Sequence, residues 1–215
     1  MTRNGPVDPI LRREIERIAP PGLFIGHRLI TPGDEDALRD DEAASIASPI
    51  TAVRRASGAA RIVARGLLAR LGHGPVALPK APSGAPVWPA GIVGSLAHDD
   101  RIAVAAVGSR RDYNSVGIDI EPAVPLPPDM LALVVKPEEL PQIADDPLGG
   151  KVLFAIKEAV YKAIDPLDGT FLEFQDIAVD LRAGTATTRA GRAVTLRYSV
   201  SSHVLALAFS QAGSR

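Results

Sequence analysis

The hexapeptide Val-Gly-Ile-Asp-Ile-Glu at residues 116–121 decides both the fold and the chemistry that this sequence indicates. Its Val and Ile residues alternate with Gly and acidic residues, which is the pattern of a strand with one buried face. The other face carries Gly117, Asp119 and Glu121. Successive residues on one strand face are about 6.5–7 Å apart, so both carboxylates can converge on one hard cation. A strand end with two solvated acids is the alternative, because short acidic patterns recur by chance.

A second segment, FAIKEAVYKA at residues 154–163, has helical periodicity. It places Glu158 and Lys162 one turn apart on one face, with Phe154 and Tyr161 on the same side. A surface helix with ion pairs would show the same spacing. The aromatic neighbours favour a partly packed face, where a carboxylate beside a lysine suits acid–base catalysis. Three carboxylates and a lysine near a basic segment therefore indicate Mg²⁺-assisted phosphoryl chemistry.

The composition is typical of a soluble globular protein. Of the 215 residues, 46% are hydrophobic and 23% are charged, and the length suits one large domain or two small ones. Cysteine is absent, which excludes disulfides and thiolate metal sites. No segment has the length and apolarity of a membrane span, and the N-terminus lacks a signal-peptide core. These features predict a cytoplasmic protein that does not associate with membranes.

Charge is distributed unevenly although the net charge is only −1. Residues 43–98 contain no Asp or Glu, and such a segment can bind a polyanion. Its basic residues include Arg54, Arg55, Arg61, Arg65, Arg70 and Lys80. For each single arginine, a solvated basic face is the alternative. The acidic cluster at residues 34–42 is predicted to be a solvated loop.

The order of the predicted elements indicates an α+β protein of two similar lobes, related by a pseudo-two-fold, each a long helix packed on a small antiparallel sheet. The proline-rich segment 122–128 separates a lobe of residues 1–121 from a lobe of residues 122–215. Asp8 and Pro9 begin a short helix with an expected buried face of Ile10, Leu11, Ile15 and Ile18. The other predicted elements are helices at 48–71 and 147–164, strands at 22–30, 102–107, 116–121, 177–181, 193–198 and 204–209, and a loop at 80–89.

Position distinguishes His98 from the other histidines. It follows a glycine-containing segment and precedes the acidic strand, where its ring could hydrogen-bond a phosphate. A single histidine is more often a structural hydrogen-bonding group, and that role is predicted for His27, His73 and His203.

Several well-known motifs are absent. The sequence has no P-loop, no zinc-protease His-Glu-x-x-His, no Gly-x-Ser-x-Gly and no dinucleotide-binding glycine motif. Only 4% of residues are aromatic, and they do not alternate with basic residues, which argues against nucleic-acid binding.

Three segments together resemble the 4′-phosphopantetheinyl transferases of the group that serves siderophore and nonribosomal peptide synthesis. The strand 117–121 is similar to the family's Gly-(Ile/Val)-Asp-(Ile/Val)-Glu motif, and residues 154–163 are similar to its Lys-Glu helix. Residues 86–98, PVWPAGIVGSLAH, resemble its histidine-bearing loop. The three segments lie in the family's order and cover most of residues 50–175.

The resemblance implies roles for individual residues. Asp119, Glu121 and Glu158 would bind Mg²⁺ with the diphosphate of coenzyme A. Glu158 would also help to deprotonate the carrier-protein serine, and Lys162 would stabilise or protonate the departing 3′,5′-ADP. The remaining assignments are His98 and Lys157 to the diphosphate oxygens, Ser95 to coenzyme A, and Arg55, Arg61 and Lys80 to the 3′-phosphate and neighbouring groups.

The implied protein is a monomeric enzyme that modifies acyl, peptidyl or aryl carrier domains, with coenzyme A bound between the lobes. Residues 130–135 (MLALVV) could contact the carrier, although ordinary core is the alternative and is slightly favoured. Two rival functions remain open at this point. One is a coenzyme A-binding homologue without turnover, and the other is a Mg²⁺-dependent nucleotide hydrolase that uses the same acids.

Overall fold

The computed structural model describes residues 6–169 and 171–213, and within them it contains five α-helices and eight strands. The helices are α1 (Pro9–Ile18), α2 (Asp40–Ile46), α3 (Thr51–Arg70), α4 (Pro128–Val134) and α5 (Gly149–Asp168). The strands are β1 (Leu23–Leu29), β2 (Ile92–His98), β3 (Ile102–Ser109), β4 (Tyr113–Pro122), β5 (Ile177–Asp180), β6 (Thr185–Thr188), β7 (Ala193–Val200) and β8 (His203–Gln211). Short 3₁₀ helices occupy Asp34–Ala37, Pro137–Gln142 and Phe174–Asp176.

The strands form two antiparallel sheets. The smaller sheet has the order β1-β3-β2, and the larger has the order β4-β8-β7-β6-β5. Helix α3 packs on the outer face of the smaller sheet, through residues that include Ala64, Leu67 and Leu68. Helix α5 packs on the outer face of the larger sheet. This arrangement confirms the predicted α+β class, in which each long helix packs on its own antiparallel sheet.

The inner faces of the two sheets pack against each other. Val116, Ile118 and Ile120 of β4 lie in one apolar cluster with side chains of β8, β3, β1, β2 and α1. The alternate residues of β4 face α5 instead, so the predicted division of this strand into an apolar and an acidic face is confirmed. The two sheets therefore share one interior.

Strand β4 pairs with a strand from the other predicted lobe. The sequence puts β4 at the end of the N-terminal lobe, whereas its hydrogen-bonded neighbour is β8 near the end of the chain. β4 also packs against β2 and β3, so it joins the two halves. The division of the chain at residue 121 stays a prediction.

Most predicted elements lie within a few residues of the observed ones, but some details were wrong. Ile10 of α1 is 56% exposed, while Leu11, Ile15 and Ile18 are buried as expected. The strands β2 and β6 were not predicted. Residues 130–135 are mostly helical in α4, where Val134 is fully buried and Leu133 is exposed. Among the described residues, no helix is long and apolar enough to cross a membrane.

One glycine determines how closely β4 and α5 approach. A Cβ added at Gly117 would overlap with the carbonyl oxygen of Ala159 and lie 2.6 Å from the backbone nitrogen of Ala163. A glycine inside a strand makes room for a large group on that face of the sheet. That group is the backbone of α5.

Candidate functional site

The acidic face of β4 meets one face of α5. Asp119 is buried, and its Oδ1 accepts a hydrogen bond of 2.6 Å from Nζ of Lys162. Its Oδ2 is also buried and has no hydrogen-bond partner among the described residues. An unpartnered buried carboxylate oxygen is costly, which makes this atom a candidate ligand for a bound group.

Glu121 lies two residues further along β4 and is partly exposed. Its Oε2 accepts a hydrogen bond of 3.1 Å from Nζ of Lys151, a residue in the first turn of α5. Each acid of the strand is thus paired with a lysine of α5: Glu121 with Lys151, and Asp119 with Lys162.

Glu158 completes the acidic group from the helix side. Burial raises the pKa of Glu158, Lys162 opposes this effect, and the charge of Glu121 adds to it. Burial also raises the pKa of Asp119, to about 6, against the lowering effect of Lys162. The charges of Glu121 and Glu158 contribute to that rise. The acids predicted from the two sequence segments therefore interact electrostatically at one place.

His98 ends β2 and reaches the same region. Its side chain is exposed at the strand end, yet packing around the ring removes part of its hydration and lowers the pKa of His98. The ammonium of Lys162 lowers this pKa further, while Asp99 opposes the change. A neutral imidazole beside Lys162 at neutral pH can accept or donate a hydrogen bond.

A cavity of about 570 Å³ opens beside these residues, between the 80–96 segment and α5. Its volume lies in the usual range for small-molecule sites. Residues that line it include Lys80, Trp88, Ser95, Arg110, Tyr161 and Lys162. Its lining combines apolar residues, among them Trp88 and several prolines, with the cations Lys80, Arg110 and Lys162. Such a lining suits an amphiphilic anion.

The acidic group supplies only part of the ligand shell that a metal ion needs. In residues 6–169 and 171–213, no three histidine, cysteine or acidic side chains lie close enough together to hold a metal ion by themselves. Mg²⁺ usually needs only one or two carboxylates, since phosphate oxygens and water complete its octahedron. The unpartnered Oδ2 of Asp119 fits that demand, and Glu121 and Glu158 add oxygen donors nearby.

Lys157 is not part of this region, which corrects its assignment to the diphosphate. Its ammonium is fully buried and donates hydrogen bonds to Glu139 Oε2 at 2.7 Å, to the Val134 carbonyl at 2.8 Å and to the Phe174 carbonyl at 3.1 Å. All three protons of the ammonium are used, so no phosphate can be bound. Lys157 instead fixes α5 to the end of α4 and to two of the 3₁₀ helices.

The arginines of α3 are also held by the protein. Arg55 forms two hydrogen bonds with Glu35, of 2.8 and 2.9 Å. Arg61 is buried and donates to the carbonyls of Leu78 and Ser57. In this structure the guanidinium of Arg61 is turned into the protein, so its assignment to a phosphate is corrected. Arg55 could bind a phosphate only by exchanging Glu35 for it.

Three acids of the cluster at 34–42 pair with arginines, so the prediction of a solvated loop was wrong for Asp34, Glu35 and Glu42. Asp34 is buried against Arg28, at 2.7 Å. Glu42 is fully buried, and it accepts hydrogen bonds from Arg65 and from the backbone nitrogen of Leu78. These three acids neutralise arginines within the fold, whereas Asp36, Asp40 and Asp41 are exposed.

Two residues at the site were missed by the sequence reasoning. Lys151 was not recognised as a site residue, although it shares a helical face with Glu158 and Lys162. Trp88 was quoted in the histidine-bearing motif without a role. A Cβ at Gly94 would lie 2.7 Å from the indole, so this ring packs directly against β2.

The sequence is similar to a known protein family and to several of its members. Residues 41–108 match the family model described as the 4′-phosphopantetheinyl transferase N-terminal domain, and residues 115–208 match the 4′-phosphopantetheinyl transferase superfamily. The chain is 39% identical over 182 residues to 4′-phosphopantetheinyl transferase Npt of Nocardia iowensis, with 82% of each chain covered. It is 40% identical over 157 residues to 4′-phosphopantetheinyl transferase Svp of Streptomyces mobaraensis, covering 69% of this chain and 64% of Svp. It is 39% identical over 140 residues to 4′-phosphopantetheinyl transferase PptT of Mycobacterium tuberculosis, covering 63% of this chain and 62% of PptT.

Proposed function

Because the chain belongs to the 4′-phosphopantetheinyl transferase superfamily, we propose that it moves 4′-phosphopantetheine from coenzyme A to a serine of an apo carrier domain. The serine oxygen attacks the pantetheine-side phosphorus of the diphosphate. A new phosphodiester bond forms, the bond to the bridging oxygen breaks, and 3′,5′-ADP leaves. The observation that carries this proposal is the convergence of Asp119 and Glu121 with Glu158 and Lys162 beside a cavity of ligand size.

Mg²⁺ is part of the proposal. Asp119, Glu121 and Glu158 would hold it together with the diphosphate, and the ion would offset negative charge on the phosphate oxygens. The chemical nature of the donors supports this choice, because hard carboxylate oxygens suit Mg²⁺.

Glu158 is the proposed general base. It is half-buried, and its raised pKa makes it a better proton acceptor than an exposed carboxylate. It takes the serine proton as the oxygen attacks. The ammonium of Lys162 faces the growing charge on the departing 3′,5′-ADP and stabilises or protonates it.

The cavity is the proposed place of coenzyme A. Lys80 and Ser95 line it with Lys162, and His98 stands beside Lys162. Lys80 suits a phosphate as a mobile point charge. His98 can hydrogen-bond a diphosphate oxygen. Arg55 remains a candidate for the 3′-phosphate only if that group takes the place of Glu35.

The partners proposed here are acyl, peptidyl or aryl carrier domains, in siderophore, nonribosomal peptide or other secondary metabolism. The protein would act as a monomer in the cytoplasm. The family membership supports a carrier domain as the partner, while the kind of carrier is chosen by surface contacts.

Mass spectrometry of a mixed panel of apo carriers tests the proposal directly. With coenzyme A and Mg²⁺, we expect one carrier class to gain the mass of phosphopantetheine, with one 3′,5′-ADP released per transfer. Asp119→Ala should abolish the gain while the circular dichroism spectrum stays unchanged. No gain on any carrier would refute the transferase function, and 3′,5′-ADP release without a carrier would identify a hydrolase instead.

A further inference from the structure

Lys151 occupies an unusual position for a cation. It is the third residue of α5, and the positive end of a helix dipole disfavours basic side chains there. The residue is nevertheless buried, with only 8% of its surface exposed. Burying an ammonium at this position is unfavourable unless an anion compensates it.

Glu121 provides that compensation. Its Oε2 lies 3.1 Å from Nζ of Lys151, and the same Nζ lies 5.2 Å from the centre of the Phe154 ring. The aromatic ring holds the lysine stem in place and faces its charge. The pair is therefore an ordered contact between α5 and β4.

The helix repeats this arrangement three turns later. Glu158 and Lys162 follow Lys151 by 7 and 11 residues. Because these spacings are close to two and three helical turns, the three side chains lie on one face of α5. Lys162 pairs with Asp119, as Lys151 pairs with Glu121. Each acid of β4 thus has its own ammonium, and Glu158 lies between the two on the helix.

We propose that Lys151 is a built-in counter-ion of Glu121 that competes with the divalent cation for this carboxylate. It balances the charge of the acidic group before a cation arrives, and it thereby weakens cation binding. Lys151 is a positioning residue, since it acts through Glu121. This inference rests on the ligand set of the proposed function.

A purely structural ion pair between α5 and β4 makes a different prediction. Its loss would lower the melting temperature with and without the cation to the same degree. A counter-ion that competes with the cation instead predicts that its loss tightens cation binding and enlarges the stabilisation that the cation gives.

The test compares Lys151→Met with Lys151→Arg in saturating coenzyme A, without a carrier, so that the diphosphate can complete the cation's ligand shell. Met keeps an apolar stem against Phe154 and removes the charge, whereas Arg keeps the charge. Binding of Mn²⁺ is measured by electron paramagnetic resonance, and Mg²⁺-dependent melting by circular dichroism. Lys136→Met is the control, because Lys136 pairs with the exposed Glu138. We expect Lys151→Met to bind Mn²⁺ about tenfold more tightly, which corresponds to roughly 1.4 kcal/mol.

Lys151→Arg and Lys136→Met should keep the parent affinity. If the parent binds Mn²⁺ and Lys151→Met binds it equally or more weakly, the counter-ion role is overturned while the transferase proposal stands. If the parent binds neither Mn²⁺ nor Mg²⁺, then Asp119, Glu121 and Glu158 do not form a cation site. That result would overturn both the proposed ligand set and the counter-ion role of Lys151. A larger Mg²⁺-dependent rise in melting temperature for Lys151→Met than for the parent would support the proposal.

Discussion

Gly117 of β4 lies directly against the carbonyl group of Ala159 in α5. This contact sets the distance between the strand that carries Asp119 and Glu121 and the helix that carries Glu158 and Lys162. No larger residue fits at position 117, because its Cβ would overlap with the helix backbone, which cannot rotate away as a side chain can.

Gly117→Ala is therefore expected to push α5 away from β4 and so to separate Glu158 from Asp119 and Glu121. Overpacking of this kind costs about 1–3 kcal/mol, and the displaced α5 should also lower transfer activity. Urea denaturation and the carrier mass assay measure the two effects. The control is Gly66→Ala in α3, where a Cβ meets nothing within 4 Å. It should stabilise the protein by about 0.5–1 kcal/mol, since glycine is unfavourable inside a helix. Equal stability of the two variants would contradict the close contact at Gly117.

Substitution of Lys157 should mainly affect stability, whereas substitution of Lys162 should mainly affect catalysis. Lys157→Met removes one partner of the fully buried pair with Glu139, and such a change costs about 3–5 kcal/mol. Lys162→Met should cost less, because Asp119 can take up a proton when its pKa is already about 6. It should instead reduce kcat strongly. Thermal melts and steady-state kinetics test this, and a folded Lys157→Met with normal stability would refute the assigned structural role.

The pair of Glu35 and Arg55 predicts a stability change in acid. The Arg55 hydrogen bonds lower the pKa of Glu35 from 4.5 to about 2. The folded state therefore binds fewer protons here than the unfolded state, and this stabilisation is present above pH 4.5 and lost as the pH falls towards 2. Melting temperatures between pH 2 and 6 should show a shallower decline for Glu35→Gln than for the parent. Arg55→Gln should show the same shallower decline in melting temperature as Glu35→Gln. Arg54→Gln is the control: the side chain of Arg54 is exposed, so this variant should show the same decline as the parent.

Trp88 offers a direct reporter of ligand binding. It is the only tryptophan in the sequence, and it lines the cavity proposed for coenzyme A. A nucleotide that enters the cavity changes the environment of the indole, so 3′,5′-ADP should alter its emission in a saturable manner. Free N-acetyltryptophanamide corrects for light absorbed by the nucleotide. Binding shown by calorimetry without any change in emission would place the nucleotide elsewhere.

The sequence was informative where a repeating pattern carried the signal. The alternation at 116–121 predicted which residues of β4 face the core, and the i, i+4 spacing placed Glu158 and Lys162 together. Lys157 was misassigned although neighbouring helix residues point about 100° apart, so it could not share the face of Glu158. Its partner Glu139 lies 18 residues upstream in a 3₁₀ helix, and no local pattern predicts that contact.

The acidic cluster at 34–42 and the Arg61 assignment were misjudged for a similar reason. Glu42 and Arg65 are 23 residues apart and meet only because the 34–46 segment folds back along α3. Composition distinguished an acidic segment from a basic one, but it contained no information on their pairing. Long-range ion pairs depend on the tertiary fold, whereas strand and helix periodicity are local properties of the chain.

The interior shared by the two sheets has a consequence for the chain as a whole. Ile118 of β4 and Leu207 of β8 pack against the strands of the smaller sheet, so either half alone would expose a broad apolar surface to water. The halves can therefore be separated neither as stable fragments nor by a hinge that opens between them. The chain should unfold as one cooperative unit, and a gene cut between β3 and β4 should yield two aggregating products.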